Sequence, residues 1–350
     1  MDVSTMSSAE SPGIGSRPTT TTRVAIKELC AGDPTRVGPF QLLGRLGAGG
    51  MGQVFLGLDS SGHRVAVKVI HEAHVGVPEF RARFAREIRI AGQVRAPWTV
   101  PLVSADPEAR QPWLATEYVA GPSLAQAVRS AGPLPEAAVA VLASRLADAL
   151  AALHSTGLIH RDLKPSNVML AQDGPRLLDF GIARAVDATR ITRTGVAVGT
   201  PAFMSPEQAH GKEGGTASDV FSLASVLTFA ATGQGPFGQA ETPVAMLTRV
   251  SQREPDLSAV PAALRDVLAV CLSKDPAARP TARQLAGMLA RWTDPVPPGA
   301  WPPPVVAELT APLPAPESVP PPRRGVSTAT FSTSRIWRIA VSVLWPCAIK

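Results

Sequence analysis

The sequence predicts an α+β protein, because short β-strands near its start are followed by helical periodicity. Residues 40–43, 54–57 and 65–69 are apolar or alternate between apolar and polar side chains, which is typical of strands. Apolar side chains then recur every four residues from Phe80 to Ile88, which indicates one face of an amphipathic helix. At 350 residues the chain is long enough for one large domain or two ordinary ones.

A glycine-rich segment joins the first two predicted strands. Residues 47–52 (Gly-Ala-Gly-Gly-Met-Gly), followed by Val54, fit the pattern G-x-G-x-x-G-x-V. Where side chains are missing, backbone amides can approach phosphate oxygens closely. A plain glycine-rich hairpin is the alternative. A dinucleotide-binding segment would need a helix directly after the glycines, and a strand follows instead, so we predict a hairpin over phosphates.

A lysine and a glutamate form the next candidate pair. Lys68 is the only charge in residues 65–69, which match the V-A-I-K pattern, and it is predicted to reach the α- and β-phosphates. Such a lysine needs a carboxylate to fix it, and Glu87 on the predicted helix supplies one. The alternatives are an edge-strand lysine and a solvated helical glutamate.

The strongest motif is His-Arg-Asp-Leu-Lys-Pro-Ser-Asn at residues 160–167, which fits H-R-D-L-x-x-x-N. Asp162 would accept the proton of an attacking hydroxyl, and Asn167 would hold a magnesium ion. Asp179, in the Asp-Phe-Gly of residues 179–181, would be the second metal ligand. A solvated turn could produce any one match, but the order of all these motifs along the chain is far more specific.

With these motifs, the stretches 199–209 (Gly-Thr-Pro-Ala-Phe-Met-Ser-Pro-Glu-Gln-Ala) and 218–223 (Ser-Asp-Val-Phe-Ser-Leu) complete a family pattern. The chain resembles the bacterial eukaryotic-like (Hanks-type) serine/threonine protein kinases over residues 33–292. The resemblance implies a bilobal protein-kinase fold, with a small β-rich N-lobe and a larger helical C-lobe. It also implies transfer of the ATP γ-phosphate to Ser or Thr hydroxyls of proteins in signal transduction, with ATP and Mg²⁺ (Mn²⁺ as an alternative) and autophosphorylation of the activation loop.

The resemblance assigns roles to single residues. Asp162, Lys164 and Thr200 would be catalytic, with Lys164 on the γ-phosphate and the Thr200 hydroxyl linked to Asp162, as in the serine/threonine form. The metal ligands would be Asn167 and Asp179. The ATP site would comprise Leu46, Gly47, Ala48, Gly49, Gly50, Met51, Gly52, Val54, Ala66, Lys68, Glu87, Glu117, Val119 and Met169.

Further roles follow from the same resemblance. Thr116 would be the small gatekeeper at the back of the adenine pocket, before the hinge at residues 117–119. Thr192 and Thr194 would be activation-loop phosphosites, with Arg161 as a partner for the phosphate. Arg279 would pair with Glu207, and Asp219 would hold the backbone of the catalytic loop. Residues 96–98, Ala-Pro-Trp, depart from the usual His-Pro without touching a catalytic role.

The remaining chain is divided by composition. Residues 1–32 are predicted to be a disordered extension, followed by the kinase domain at 33–292. Residues 293–334 are predicted to be a disordered Pro-rich linker, since twelve prolines fall within 295–322. Residues 335–350 form a short apolar tail, and its fourteen mostly apolar residues (336–349) are too few to span a bilayer, which takes about 20. An interfacial anchor, a truncated membrane segment and a plain apolar tail all stay open.

The net charge and the cysteines of the chain indicate its binding partners and its cellular compartment. The net charge is +6, but the arginines are scattered and no nucleic-acid motif is present, so we predict no nucleic-acid partner. The three cysteines are far apart and form no C-x-x-C, which fits a reducing cytoplasm. The predicted partners are ATP and protein substrates. A kinase-domain homodimer and contact of the tail with the cytoplasmic face of the membrane are left open.

Two other functions compete with a protein kinase. A pseudokinase would bind nucleotide without transfer, which the presence of Lys68, Asp162, Asn167 and Asp179 opposes. A small-molecule phosphotransferase would share the Asp-to-Asn spacing but would lack the peptide-docking stretch at residues 199–209.

Overall fold

The computed structural model describes residues 26–49, 52–75, 78–94, 96–178, 201–293 and 298–310. Within them the chain begins with an antiparallel sheet and continues with a larger helical region. This is the arrangement of lobes that the sequence predicted.

The first lobe is built on a sheet of six strands, in the order β1-β2-β3-β4-β6-β5. Each neighbouring pair is antiparallel. The strands are β1 (Arg36–Val37), β2 (Phe40–Gly49), β3 (Gly52–Leu58), β4 (Arg64–Ile70), β5 (Leu102–Asp106) and β6 (Trp113–Glu117).

The two faces of this sheet have different surroundings, because successive side chains of a strand point to opposite sides. On β4, Val65, Val67 and Val69 are buried in a small core that includes Phe40 and Trp113. The rings of Phe40 and Trp113 meet edge to face, with centroids 5.7 Å apart. The polar and small residues of β4 therefore lie on the opposite face.

Two helices follow β4, α1 (Glu72–Val75) and α2 (Pro78–Ala91). The predicted four-residue periodicity is the apolar face of α2: the buried rings of Phe80 and Phe84 stack with centroids 5.5 Å apart. Ile88 lies one helical turn beyond Phe84, on the same face of α2, and it is packed against the core as well.

The second lobe is helical and surrounds α4. Its helices are α3 (Leu124–Ala131), α4 (Glu136–Ser155), α5 (Pro206–Ala209), α6 (Thr216–Thr232), α7 (Pro243–Gln252), α8 (Ala262–Cys271), α9 (Ala282–Thr293) and α10 (Pro304–Leu309). Among the described residues, α4 alone has the length and hydropathy of a membrane span, but most of it is buried within the protein. Its side chains at Leu142, Leu146 and Leu150 are fully buried, which is expected of a core helix.

The predicted catalytic segment lies between α4 and a short hairpin, β7 (Val168–Ala171) with β8 (Gly174–Leu177). A single 3₁₀ turn at Pro165–Asn167 leads directly into β7. The segment is therefore fixed on both sides, by the core helix before it and by the hairpin after it.

The chain outside the predicted domain is more ordered than expected at two places. Lys27 pairs with Arg45 of β2 through two backbone hydrogen bonds, so the disordered extension predicted to residue 32 is wrong for residues 26–32. The disordered linker predicted for 293–334 is wrong for residues 298–310, which include α10 and the buried side chains of Val306 and Leu309. Proline content indicated an extended chain, but apolar residues between the prolines have a surface to pack on.

Candidate active site

Three polar side chains of the segment 160–167 lie together. The Lys164 Nζ atom is 2.8 Å from Asp162 Oδ2. The Asn167 side-chain amide donates to the Asp162 backbone carbonyl at 2.8 Å. All three are half-buried, so they are held in place while still open to a ligand.

The backbone before Asp162 is anchored by a buried carboxylate on α6. Asp219 accepts hydrogen bonds from the backbone N–H of His160 and of Arg161, both at 2.7 Å. The ring of His154, at the end of α4, makes a third contact with Asp219 at 2.8 Å. A carboxylate with three partners can be buried without an unsatisfied oxygen, which explains how Asp219 can be 1% exposed.

Arg161 has a backbone φ of 62°, in the left-handed region that non-glycine residues rarely adopt. Such a conformation costs about 1–2 kcal/mol and persists where surrounding contacts fix it. Asp219 holds its N–H, and the Gln208 side-chain amide donates to its carbonyl at 3.0 Å. Both sides of this residue are thus tied to the helical lobe immediately before Asp162.

Gln208 is positioned by the start of its own helix. Ser205 is the N-cap of α5, and the Gln208 side-chain oxygen accepts from the Ser205 backbone N–H at 3.1 Å, which forms a capping box. The oxygen of the amide is therefore used within the helix, and its nitrogen faces Arg161.

The predicted pair of Glu207 and Arg279 is present, with Arg279 buried and Glu207 half-buried. Two parallel hydrogen bonds, at 2.8 and 2.9 Å, join the Arg279 guanidinium to the carboxylate. The Ser218 hydroxyl also donates to Glu207. Burial alone would raise the pKa of Glu207, but the hydrogen bonds from Arg279 and Ser218 outweigh it and lower the pKa to about 2.

On the sheet, the predicted nucleotide-binding residues share one face. Val54 is paired with Lys68, and Ala66 with Thr116, across neighbouring strands. These residues are half-buried, whereas their neighbours on the other face form the small core. The Lys68 side chain therefore lies on the same side as Val54, Ala66 and Thr116.

Glycine is favoured at positions 47, 49 and 52 of the hairpin for two different physical reasons. A side chain at Gly52 would come within 2.0 Å of the Val69 carbonyl oxygen, so the close approach of β4 requires glycine there. At Gly47 and Gly49 a Cβ would meet no atom of the described residues within 4 Å. Packing does not require glycine at these two positions, which leaves close access to the backbone amides as a reason for it.

The remaining predicted residues of this site frame the same region. Leu46 is half-buried and Ala48 is exposed, both on β2. Glu117 ends β6 and Val119 follows it in the connection to α3. Met169 lies on β7 and pairs with Ser123, the N-cap of α3. The connection between the lobes thus passes directly beside Met169.

The expected ion pair between Lys68 and Glu87 is not formed in this structure. Glu87 Oε1 instead lies 3.3 Å from Nη1 of Arg161. The Nη2 atom of the same guanidinium is 2.6 Å from Glu213 Oε1. The order of residues along the chain cannot decide which cation a helical carboxylate reaches, since that depends on where α2 is placed over the catalytic loop. Burial is the main influence on Glu87 and raises its pKa to about 6, against the attraction of Arg161, Arg83 and Arg86.

Several predicted site residues lie outside the described part of the chain. They are Gly50, Met51, Asp179, Thr192, Thr194 and Thr200. Their roles stay predictions.

Among the described residues, Asn167 is the predicted metal ligand, and its side-chain oxygen suits a hard cation such as magnesium. The Asn167 amide nitrogen is used by Asp162, so its carbonyl oxygen is the remaining group of that side chain. Carboxamide and carboxylate oxygens are the ligands that magnesium prefers. Within the described residues no cluster of three His, Cys, Asp or Glu side chains forms a separate metal site.

The sequence interpretation missed two positioning residues, His154 and Gln208. Gln208 stands three residues after Ser205, and the spacing S-x-x-Q before a helix is a recognisable capping signal. It does not reveal the second contact, with Arg161. Nothing in the sequence distinguishes His154 from any other histidine at the end of a helix.

Comparison with known proteins agrees with this geometry. A family model described as "Protein kinase domain" matches residues 40–289. The chain belongs to the protein kinase family. The predicted α+β bilobal kinase fold is thereby confirmed.

Two bacterial kinases are among the proteins that this kinase resembles. The probable serine/threonine-protein kinase PkwA of Thermomonospora curvata is 47% identical over 284 residues, which cover 81% of this chain and 38% of that protein. The serine/threonine-protein kinase AfsK of Streptomyces coelicolor is 49% identical over 266 residues, which cover 76% of this chain and 33% of that protein. The chain thus spans about a third of the length of these relatives, and its place among bacterial serine/threonine kinases is as the sequence predicted.

Solved structures give the same result. The crystal structure of the PknI kinase domain of Mycobacterium tuberculosis superposes with a TM-score of 0.58 and 27% sequence identity. The superposition covers 75% of this kinase and 98% of that chain. The likeness therefore extends over both lobes.

Proposed function

We propose that this kinase transfers the γ-phosphate of ATP to serine or threonine hydroxyls of proteins. The contact between Lys164 and Asp162, at 2.8 Å, carries the proposal. It places a cation directly beside the carboxylate predicted to be the base, as transfer of a charged phosphoryl group requires.

The chain's own residues divide the chemistry. Asp162 takes the proton of the acceptor hydroxyl, and Lys164 offsets the negative charge that develops on the transferred group. Lys68, on the same side of the sheet as Val54 and Ala66, holds the α- and β-phosphates. Thr200, beyond the described residues, is expected to orient Asp162 through its hydroxyl.

Asn167 and Asp179 would hold magnesium, and manganese is an alternative with similar ligands. The ion supplies charge neutralisation between the β- and γ-phosphates when it is bound. The Asn167 side-chain oxygen and a predicted carboxylate at 179 are a suitable donor set.

The test is incubation of the full chain with γ-labelled ATP and magnesium, alone and with a generic basic protein. We expect label in the protein substrate and in the chain itself. Asp162→Asn should lower transfer by roughly 10²–10⁴-fold, because the amide keeps the shape but cannot take the proton. Ser166→Ala, at an exposed position of the same segment, is the matched control and should transfer normally.

Each other result has a definite meaning. Nucleotide binding without label in any acceptor would support the pseudokinase alternative. Label only in a small molecule would support a small-molecule phosphotransferase. Full turnover by Asp162→Asn would remove Asp162 from the role of base.

The activation loop and the location are part of the same proposal. Thr192 and Thr194 are expected to be autophosphorylated, which mass spectrometry after ATP treatment, beside Asp162→Asn, can test. The kinase works in the cytoplasm, where ATP and reduced cysteines are found. Contact of residues 335–350 with a membrane and pairing of two kinase domains stay predictions.

A further inference from the structure

The chain returns to the helical lobe after the kinase family match has ended. The match ends at residue 289, and α9 ends at Thr293. Residues 298–310, called the strap below, then pack beside α3. This segment lies outside the part of the chain that the family model explains.

Apolar side chains hold the strap on the lobe. Val306 and Leu309 of α10 are 0% and 1% exposed. They belong to the same core as Leu124, Ala127 and Val128 of α3. Burial of this extent is typical of the interior of a domain and not of a linker.

A directed hydrogen bond adds to this packing. The Trp301 ring nitrogen donates to the backbone carbonyl of Ala171 at 2.9 Å. An indole has a single N–H donor, so this contact fixes the orientation of the ring. Ala171 is the last residue of β7, and the strap therefore reaches the hairpin that follows the catalytic segment.

The strand that Trp301 touches also contacts the connection between the lobes. The Leu170 N–H donates to the Pro122 carbonyl at 2.8 Å, and Met169 pairs with Ser123. A Cβ at Gly121 would come within 2.2 Å of the Leu170 carbonyl oxygen, so the two backbones are in close contact. Any shift of β7 must therefore be transmitted to the connection.

We propose that the strap positions β7 and the start of α3, and thereby sets the affinity of this kinase for nucleotide. Trp301 is the positioning residue: it acts through Ala171 on the strand that carries Met169. The inference rests on the proposed function, since it takes Met169 as part of the adenine site. It adds that the nucleotide site depends on residues beyond the family domain.

The test is the variant Trp301→Phe in the full chain, because phenylalanine keeps an aromatic ring and loses the N–H donor. We expect the Kd for ADP with magnesium, measured by calorimetry, to rise by up to about tenfold, because the strap can transmit to the site no more than the free energy of the lost hydrogen bond. The KM for ATP should rise equally, with kcat and the KM for a protein substrate unchanged. Hydrogen exchange at the Leu170 amide should become faster.

Two further variants complete the experiment. Val306→Ala weakens the apolar contact of the same strap and should shift the Kd for ADP in the same direction. Glu308→Gln, exposed on the same helix, should change none of these quantities.

The opposing results are equally clear. Wild-type Kd and wild-type Leu170 exchange in Trp301→Phe would overturn the inference. So would a lower Tm with an unchanged Kd, because the strap would then stabilise the fold alone. A wild-type chain that does not bind ADP at all would contradict the proposed function, and with it this inference.

Discussion

Glu87 and Arg161 form an ion pair between α2 and the predicted catalytic segment, with Oε1 and Nη1 3.3 Å apart. The second oxygen of Glu87 is buried without a hydrogen-bond partner among the described residues. Arg161 is shared with the exposed Glu213, at 2.6 Å. One shared ion pair does not fully offset the desolvation free energy of such a carboxylate.

Glu87→Gln should therefore stabilise the fold at neutral pH. Burial raises the pKa of Glu87 from an ordinary 4.5 to about 6, so the folded state holds this proton more tightly than the unfolded state. Its contribution to stability is full below pH 4.5 and is lost as the pH rises through 6. Urea unfolding at pH 7.5 should show a gain on the order of 1 kcal/mol for the variant, which disappears at low pH.

The same variant should lose turnover while it gains stability, since a carboxylate that is kept at a cost to folding serves a contact needed in catalysis. Glu72→Gln, 72% exposed in its side chain, is the control and should stay within about 0.5 kcal/mol of wild type. Normal turnover in Glu87→Gln would show that the carboxylate has no catalytic use, on Lys68 or on Arg161.

Gln208→Glu should slow catalysis without removing the helix cap. The glutamate keeps an oxygen for the Ser205 N–H but places a second oxygen against the Arg161 carbonyl, where the amide now donates at 3.0 Å. We expect kcat to fall about tenfold, equivalent to roughly 1.4 kcal/mol, with the KM for ATP unchanged.

Ser205→Ala is the matched control for Gln208→Glu. It weakens the capping box, which should cost about 1 kcal/mol of stability, and leaves the amide contact with Arg161 in place. If both variants lower kcat equally, the cap of α5 and not the contact with Arg161 matters for catalysis.

Arg279→Met should destabilise the helical lobe by about 3 kcal/mol, because it removes the buried guanidinium that is the main partner of the half-buried Glu207 carboxylate. The pKa of Glu207 is lowered from an ordinary 4.5 to about 2, so the pair stabilises the fold above pH 4.5 and less as the pH falls towards 2. The difference between variant and wild type in urea unfolding should shrink over that range. Arg283→Gln, exposed on α9, should be neutral, and a difference independent of pH would contradict this assignment.

The sequence predicted those features that short-range pattern determines. The alternation in β4 placed Lys68 and Ala66 on one face, and the order of motifs indicated the catalytic segment around Asp162. Both follow from spacing along the chain, which the periodicities of strands and the needs of phosphoryl transfer restrict.

Contacts between distant segments could not be predicted in the same way. Glu87 reaches Arg161, 74 residues away, because of the placement of α2, which no local pattern records. Trp301 reaches Ala171, 130 residues away, from a segment whose prolines indicated a disordered linker. In both cases the partner is decided by packing of whole elements, and composition gives no signal of it.

Thr116→Phe should close the back of the adenine site to bulky inhibitors. Thr116 lies opposite Ala66 on the face of the sheet that carries Lys68, so a large ring there would occupy the space between the strands and a bound base. Forcing a bulky group into filled space costs roughly 1–3 kcal/mol, so the Kd of an ATP-site inhibitor with a large aromatic group should rise about tenfold or more. Thr116→Val keeps the size of the side chain and should bind such inhibitors as wild type does, by calorimetry. If Thr116→Phe binds them equally well, Thr116 does not border the pocket and the hinge must be sought further along the chain.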